Sequence, residues 1–354
     1  MTDPQPPAAN PHSGRPTRRR IAAWIVTAIA LAGLPVAASE WPRAPEPPIT
    51  IAIRAQPIQS FDPREPLRVR FGALEFLGGI ELTSDHQSFG GLSGLHVSAD
   101  GERFLALTDR GRWLRGRIVS VGNRPMRIED AEMAPILGAD GRPLGARGWY
   151  DTESLTADNG HLYVGIERVN QIVRFDYGRH GLLARGQPIP VPPGVKELPR
   201  SQGLEALAFV PRNFPLGGTL IAISERGLDA AGNILGFLIG GPSPGTFTLV
   251  RSNDYDVTDA AVTPAGELLV LERRFTLFSG AAMRIRRIAL SALKPGAVVD
   301  GPVLIEADRG AYIDNMEALA VHRNRDGETI LTILSDDNFN PLQRTLLLRF
   351  ALVD

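Results

Sequence analysis

Five stretches of this chain repeat one pattern, and that periodicity limits the fold more than any other feature. Each stretch is an apolar strand with an acid or Ser near its start, a turn, and a second apolar strand ending in an acid, usually followed by Arg. The pairs are Gly91–Val97 with Phe104–Gly111, Asp151–Leu155 with Leu162–Arg168, Gly203–Phe209 with Leu220–Gly227, Val257–Val262 with Leu268–Arg273, and Asn315–Val321 with Leu331–Asp337. Their first marks, Ser93, Glu153, Glu205, Asp259 and Glu317, are separated by 60, 52, 54 and 58 residues. After each pair come further strand-like runs, such as Gln171–Asp176, Asn233–Ile239 and Arg284–Leu290. A unit of this length with about four strands is a β-propeller blade, in which both faces of each sheet are buried against neighbours.

The reading is therefore all-β, a propeller of five blades. A sixth, degenerate blade drawn from 112–144 or 49–82 stays open, as does a curled double sheet. The last unit lacks a fourth strand near Leu352, and Leu67–Leu82 is expected to supply it, joining the two ends of the domain into a closed ring. The 37 Gly and 29 Pro fit a turn-rich chain. No segment after residue 40 sustains a helical period for three turns.

The N-terminal part reads as an address followed by a spacer. Residues 1–20 are polar and end in Arg18-Arg19-Arg20, and an uncharged, mostly apolar run follows from Ile21 to Ala38. A cationic start, an apolar middle and small residues before a cut make an export signal, here with a twin-arginine character. An uncleaved membrane anchor is the rival, since 18 residues just suffice to span a bilayer. The expected location is periplasmic or secreted, with inner-membrane anchoring as the alternative. Residues 39–66 carry seven Pro and are expected to be mostly extended linker, with Ile49–Ile53 as one edge strand. The propeller then runs from 67 to 354.

Composition excludes several chemistries. There is no cysteine, so disulfides, thiolate nucleophiles and cysteine-ligated metals are ruled out. The formal charge is −1, and loss of residues 1–38, with four Arg and one Asp, makes it −4. That balance gives no electrostatic footprint for nucleic acid. No two histidines have zinc-ligand spacing, and Gly91-Leu92-Ser93-Gly94-Leu95 misses the last Gly of a serine-hydrolase elbow.

In a propeller the innermost strand of each blade lines the axial channel. Acids at its start, with acid–Arg pairs at the end of the next strand, would set two charged rings around one mouth. The first ring is Ser93, Glu153, Glu205, Asp259 and Glu317; the second is Asp109-Arg110, Glu167-Arg168, Glu225-Arg226, Glu272-Arg273 and Asp336-Asp337. Crowded carboxylates need a cation among them. Glu153, Glu205, Asp259, Glu317 and Asp336 are the expected oxygen ligands of a divalent cation, calcium by ligand type. Glu205 and Glu225 are the candidate catalytic acids, with Glu225 the expected general base, and Arg110, Arg168, Arg226 and Arg273 the phosphate-holding cations. The plainer alternative is that each acid caps a turn and each Arg clamps the next blade.

Phe89–Leu95, Leu107–Gly111, Asp151–Leu155, Gln202–Leu207, Ile223–Gly227 and Asp314–Leu319 together resemble the phytase-like family, also described as the esterase-like-activity-of-phytase domain. The similarity runs from about Phe71 to Phe350. It implies an exported bacterial propeller with recurrent Glu and Asp and a phosphoester-cleaving role. Where family members carry Glu in the first inner strand, this chain has Ser93. The expected function is a metal-dependent phosphoester hydrolase acting as a monomer on a small phosphoester or anionic ligand. A non-catalytic periplasmic binding propeller is the alternative.

Overall fold

The computed structural model describes residues 46–276 and 280–353. Among them the strands form five antiparallel-based sheets, one for each repeat. Blade one is built, from the axis outward, of Leu92–Val97, Arg103–Thr108, Arg112–Val121 and Arg124–Pro135. Blade two is Thr152–Asp158, His161–Ile166, Gln171–Asp176 and Gln187–Pro188. Blade three is Leu204–Phe209, Thr219–Leu228, Ile234–Gly240 and Gly245–Leu249, with Val298–Val299 added in parallel at its edge. Blade four is Asp256–Val262, Glu267–Thr276, Gly280–Ala289 and Val303–Asp308.

Blade five closes the ring. Asn315–Arg323, Thr329–Asp336 and Thr345–Leu352 pair in turn, and Thr345–Leu352 then pairs with Leu74–Thr83 from the other end of the domain. The expected closure is thus formed. The residues considered for a sixth blade are absorbed elsewhere: Arg112–Val121 and Arg124–Pro135 are the outer half of blade one.

The described part of the Pro-rich segment carries the expected edge strand, at Ile49–Thr50, and departs from a free spacer at Arg54–Ile58. Ile49 and Thr50 pair with Met133 and Glu132 at the edge of blade one, and Arg54–Ile58 pairs with Leu74–Thr83 as the outermost strand of blade five. Pro57 sits in that edge strand, a place where a missing ladder donor faces no inner partner. Among the described residues no helix is long and apolar enough to cross a membrane. The run 21–38, read as signal or anchor, lies outside the described residues.

The apolar runs are explained by where the core lies. Five separate apolar clusters fill the five seams between neighbouring blades. Alternation along a strand sends successive side chains to opposite seams. In Thr345–Leu352, Leu346, Leu348 and Phe350 pack toward blade four, while Leu347 packs toward blade one. Each first strand touches the first strand of the next blade around the axis. At Gly94 the approach is so close that an added Cβ would lie 2.6 Å from the Leu155 backbone nitrogen.

Candidate functional site

Every inner strand breaks its pairing at the same point. The ladder skips between Leu92 and Leu95, Thr152 and Ser154, Leu204 and Ala206, Val257 and Asp259, and Met316 and Ala318. A bulge leaves one residue out of the ladder and re-aims its side chain. The residues so released are Glu153, Glu205, Thr258 and Glu317, with Ser93 and Gly94 released together in blade one. Three of the five positions are therefore Glu and two carry a hydroxyl. The hydroxyls act as clips: Ser93 Oγ donates to the carbonyl of Thr152 at 2.5 Å, and Thr258 Oγ1 to that of Met316 at 3.0 Å. Each thereby holds the residue just before the next blade's Glu.

Blade four is out of step with the sequence alignment by one residue. Asp259, an expected metal ligand, follows the bulge instead of lying in it. Its carboxylate accepts the backbone N–H groups of Leu319 at 2.7 Å and Ala260 at 2.8 Å, which ties blade four to blade five. The same slip moves the second ring. Asp109, Glu167 and Glu225 each hydrogen-bond through their backbone N–H to the residue just before the inner strand, and Asp336 pairs with Asn315. In blade four Arg273, paired with Asp256, takes this position, while Glu272 lies opposite Val257. Glu272 is fully buried and accepts from both Arg284 and Arg286 at 2.7–3.1 Å, inside the blade and away from the mouth.

The mouth is thus lined by Asp109, Glu167, Glu225, Asp336 and Arg273 outside Glu153, Glu205 and Glu317. Arg273 is its cation: Nη2 lies 3.3 Å from Glu225, Nε 3.2 Å from Glu317, and Nη1 donates to Asn315 Oδ1 at 3.0 Å. One guanidinium does not balance seven carboxylates. Burial, reinforced by the neighbouring negative charges, pushes Asp109 up to about 8 and Glu167, Glu317 and Asp336 up to about 7. Glu153 and Glu205 are raised well above the carboxylate range for the same two reasons. Burial raises Glu225 as well, against the pull of Arg273. Glu317 Oε2 is buried with no hydrogen-bond partner.

Glu167, Glu205 and Glu225 bring one carboxylate oxygen each within 4.8 Å of one another. Blades two and three build this triad. Glu167 stands on a short 3-10 turn ended by Asn170 in the left-handed conformation. Asn170 is anchored by accepting from the Leu204 N–H at 3.1 Å and donating to the carbonyl of Leu198 at 2.7 Å. Glu167 itself accepts the N–H of Gly203 at 2.8 Å, two residues before Glu205. An all-oxygen donor set amid surplus negative charge suits a hard divalent cation. The residues fit such an ion.

Of the expected ligands, Glu205 is in the triad, and Glu153, Glu317 and Asp336 lie in the same acidic field. Glu225, expected as general base, is in the triad too. Of the four expected phosphate-holding arginines, Arg273 is the cation of the mouth, and Arg226 lines one cavity with it and Glu225. Arg226 pairs through both Nε and Nη2 with Asp256, Arg168 lies 5.0 Å over the ring of Tyr150, and Arg110 lies 3.5 Å over the ring of Phe339. All three are exposed at the rim.

The Phytase-like family model, described as esterase-like activity of phytase, matches residues 87–339, and this chain belongs to that family. No curated protein matches the sequence. Among solved structures, the chain is similar to the PQQ-bound aldose sugar dehydrogenase of Streptomyces coelicolor (14% identity, 80% of this chain and 99% of that one, TM-score 0.40). It is also similar to a putative oxidoreductase (glucose dehydrogenase) of Thermus thermophilus (16%, 84% and 100%, 0.31). A third is the α-L-arabinofuranosidase of Podospora anserina (9%, 77% and 94%, 0.45).

Proposed function

We propose that this chain is a divalent-cation-dependent phosphoester hydrolase whose cation is held at the channel mouth by Glu167, Glu205 and Glu225. The observation that carries the reading is the convergence of those three carboxylates in a field that one arginine cannot neutralise. Calcium is the cation proposed, because every donor is a carboxylate oxygen. When bound, the cation would supply Lewis acidity toward a phosphoryl oxygen.

The chain's own groups handle orientation and protons. Arg273, held by Glu225, Glu317 and Asn315, presents a fixed positive charge to an anionic substrate. Asp109, pushed up to about 8, carries its proton at neutral pH and can donate it to a leaving alkoxide. Asp336, at about 7 and pressing electrostatically on Asp109, can take a proton from an attacking water. Water then forms a new bond to phosphorus while the ester P–O bond breaks and the alcohol leaves. The ligand class proposed is a small phosphoester, the location the periplasm or outside the cell, and the working state a monomer.

The test is turnover of p-nitrophenyl phosphate and of bis-p-nitrophenyl phosphate by the full chain, with calcium and then with chelator. Release of p-nitrophenol that chelation stops is the expected result. Absence of turnover with calcium, magnesium and manganese alike would sink the proposal and leave a binding propeller.

The acidic field also predicts how stability changes with pH. A carboxyl whose folded pKa lies above its unfolded value binds more protons when folded, so stability falls as pH rises between the two values. Without divalent ions, Tm is therefore expected to drop from pH 5 to pH 8, the window set by the values near 7 and 8 cited above. Calcium should restore it, more at pH 8 than at pH 5, since only deprotonated carboxylates bind the ion. Differential scanning fluorimetry in chelator and in calcium checks both slopes.

A further inference from the structure

Where the seam between blades five and one opens, beside the Asp100–Glu102 turn, lies a cleft of about 450 Å³. Arg349 projects from blade five into its wall and is only 4% exposed, beside His322, 6% exposed. Arg349 donates to Ser120 Oγ at 3.1 Å and to the carbonyl of Gly101, both uncharged acceptors. Its Nε and the Nδ1 of His322 are buried without partners. We propose that this cleft binds a phosphate group, free or carried on a small ester, between Arg349 and His322.

The argument rests on an unbalanced charge. Burying a guanidinium without a carboxylate costs several kcal/mol as an order of magnitude, and this fold does so beside an open cleft. Three acids line the cleft, Asp100, Glu102 and Asp326, and Arg349 donates to none of them. Asp100 is bound by Ser98 Oγ and the Glu102 N–H in its own turn, and Glu102 faces Arg325 at 3.5 Å. Arg117, also in the lining, is paired with Glu129 and Asp130. Burial alone draws Arg349 down to about 10, so no neighbouring carboxylate compensates it. Burial and the Arg349 charge draw His322 down to about 4, against a smaller opposing pull from Asp100.

The local backbone keeps the cleft in shape. Gly101, at φ 74°, forms the turn whose carbonyl holds Arg349, and a Cβ there would lie 2.4 Å from His322 Nε2. An anion in the cleft would gain a paired guanidinium donor and one imidazole donor, the fork that suits a tetrahedral oxyanion. The site shares no residue with the acidic mouth and does not depend on the hydrolase reading.

The test measures the Tm of the full chain against inorganic phosphate and against glycerol phosphate, with chloride at matched ionic strength as control. At about a hundredfold excess over Kd a ligand bound only by the folded chain should raise Tm by roughly 3–8 °C. The shift is expected in the parent and in Glu205→Gln, and lost in Arg349→Met. Arg349→Met should itself be as stable as the parent without phosphate, because an unpaired buried charge has been removed. His322→Phe, which keeps Arg349, should weaken binding at least several-fold and serves if Arg349→Met does not fold. A shift with phosphate identifies the free ion, and one with glycerol phosphate alone identifies the ester. No shift beyond chloride, or an equal shift in Arg349→Met and His322→Phe, overturns the proposal. A shift lost only in Glu205→Gln would place the anion at the mouth and overturn it too.

Discussion

Replacing Glu205 by Gln is expected to lower phosphoester turnover by about 10²–10³-fold, while the ring still folds. The side chain is released by the blade-three bulge and converges with Glu167 and Glu225, so the substitution removes one anionic oxygen from the triad and leaves its shape. The Gln variant should also lose most of the calcium-induced rise in Tm, because two carboxylates remain where three were. Buried and raised, Glu205 is a liability to the apo fold at neutral pH. The variant without calcium should therefore melt at the same temperature as the parent or higher. Initial-rate assays and paired melting curves check the two halves. Unchanged turnover together with an unchanged calcium effect would mean that the triad binds nothing the reaction needs.

The largest loss of stability is expected at a residue with no part in that chemistry. Glu272→Ala should cost about 3–5 kcal/mol, since it strands two buried guanidiniums. Arg284 and Arg286 are each almost fully buried and both donate to Glu272, while their other anchors are Ser252 and the exposed Asp300. Replacing Glu272, Arg284 and Arg286 together by apolar residues of similar size should recover much of the loss, because it removes the charges as a set. Urea unfolding of the single and triple variants measures both. An effect below about 1 kcal/mol for Glu272→Ala would show that water reaches the cluster.

The propeller could be read from the chain because five copies of one unit repeat the same strand rhythm, and Gly/Pro punctuation marks where each turn falls. The closing strand could be expected because the last unit was short by one. What the alignment missed is a single-residue slip in blade four. Matching acid to acid placed Asp259 with Glu205 and Glu272 with Glu225. Matching the strand's first apolar residue, Val257 with Leu204, would have placed Thr258 and Arg273 there instead. In a structure of period two, one step reverses the direction of every side chain. This is why an expected ligand became an inter-blade tie and an expected rim acid became a buried ion cluster. Of the expected arginines, Arg273 stands at the mouth because it takes an acid's place there, while Arg226 is turned outward by alternation along its strand, and Arg110 and Arg168 lie on turns at the rim. In the Pro-rich segment the strand at Arg54–Ile58 escaped notice because edge strands tolerate Pro, which composition alone does not distinguish from a tether.

The pairing of Thr345–Leu352 with Leu74–Thr83 has a kinetic consequence. The two partners are separated by most of the domain's length, so a chain emerging from the ribosome holds the earlier segment long before its mate is made. Until then the earlier strand presents unsatisfied backbone on one side, and the wheel has a gap. Such long-range closure makes for slow, late completion, and loss of that mate would leave an open arc in place of a circle.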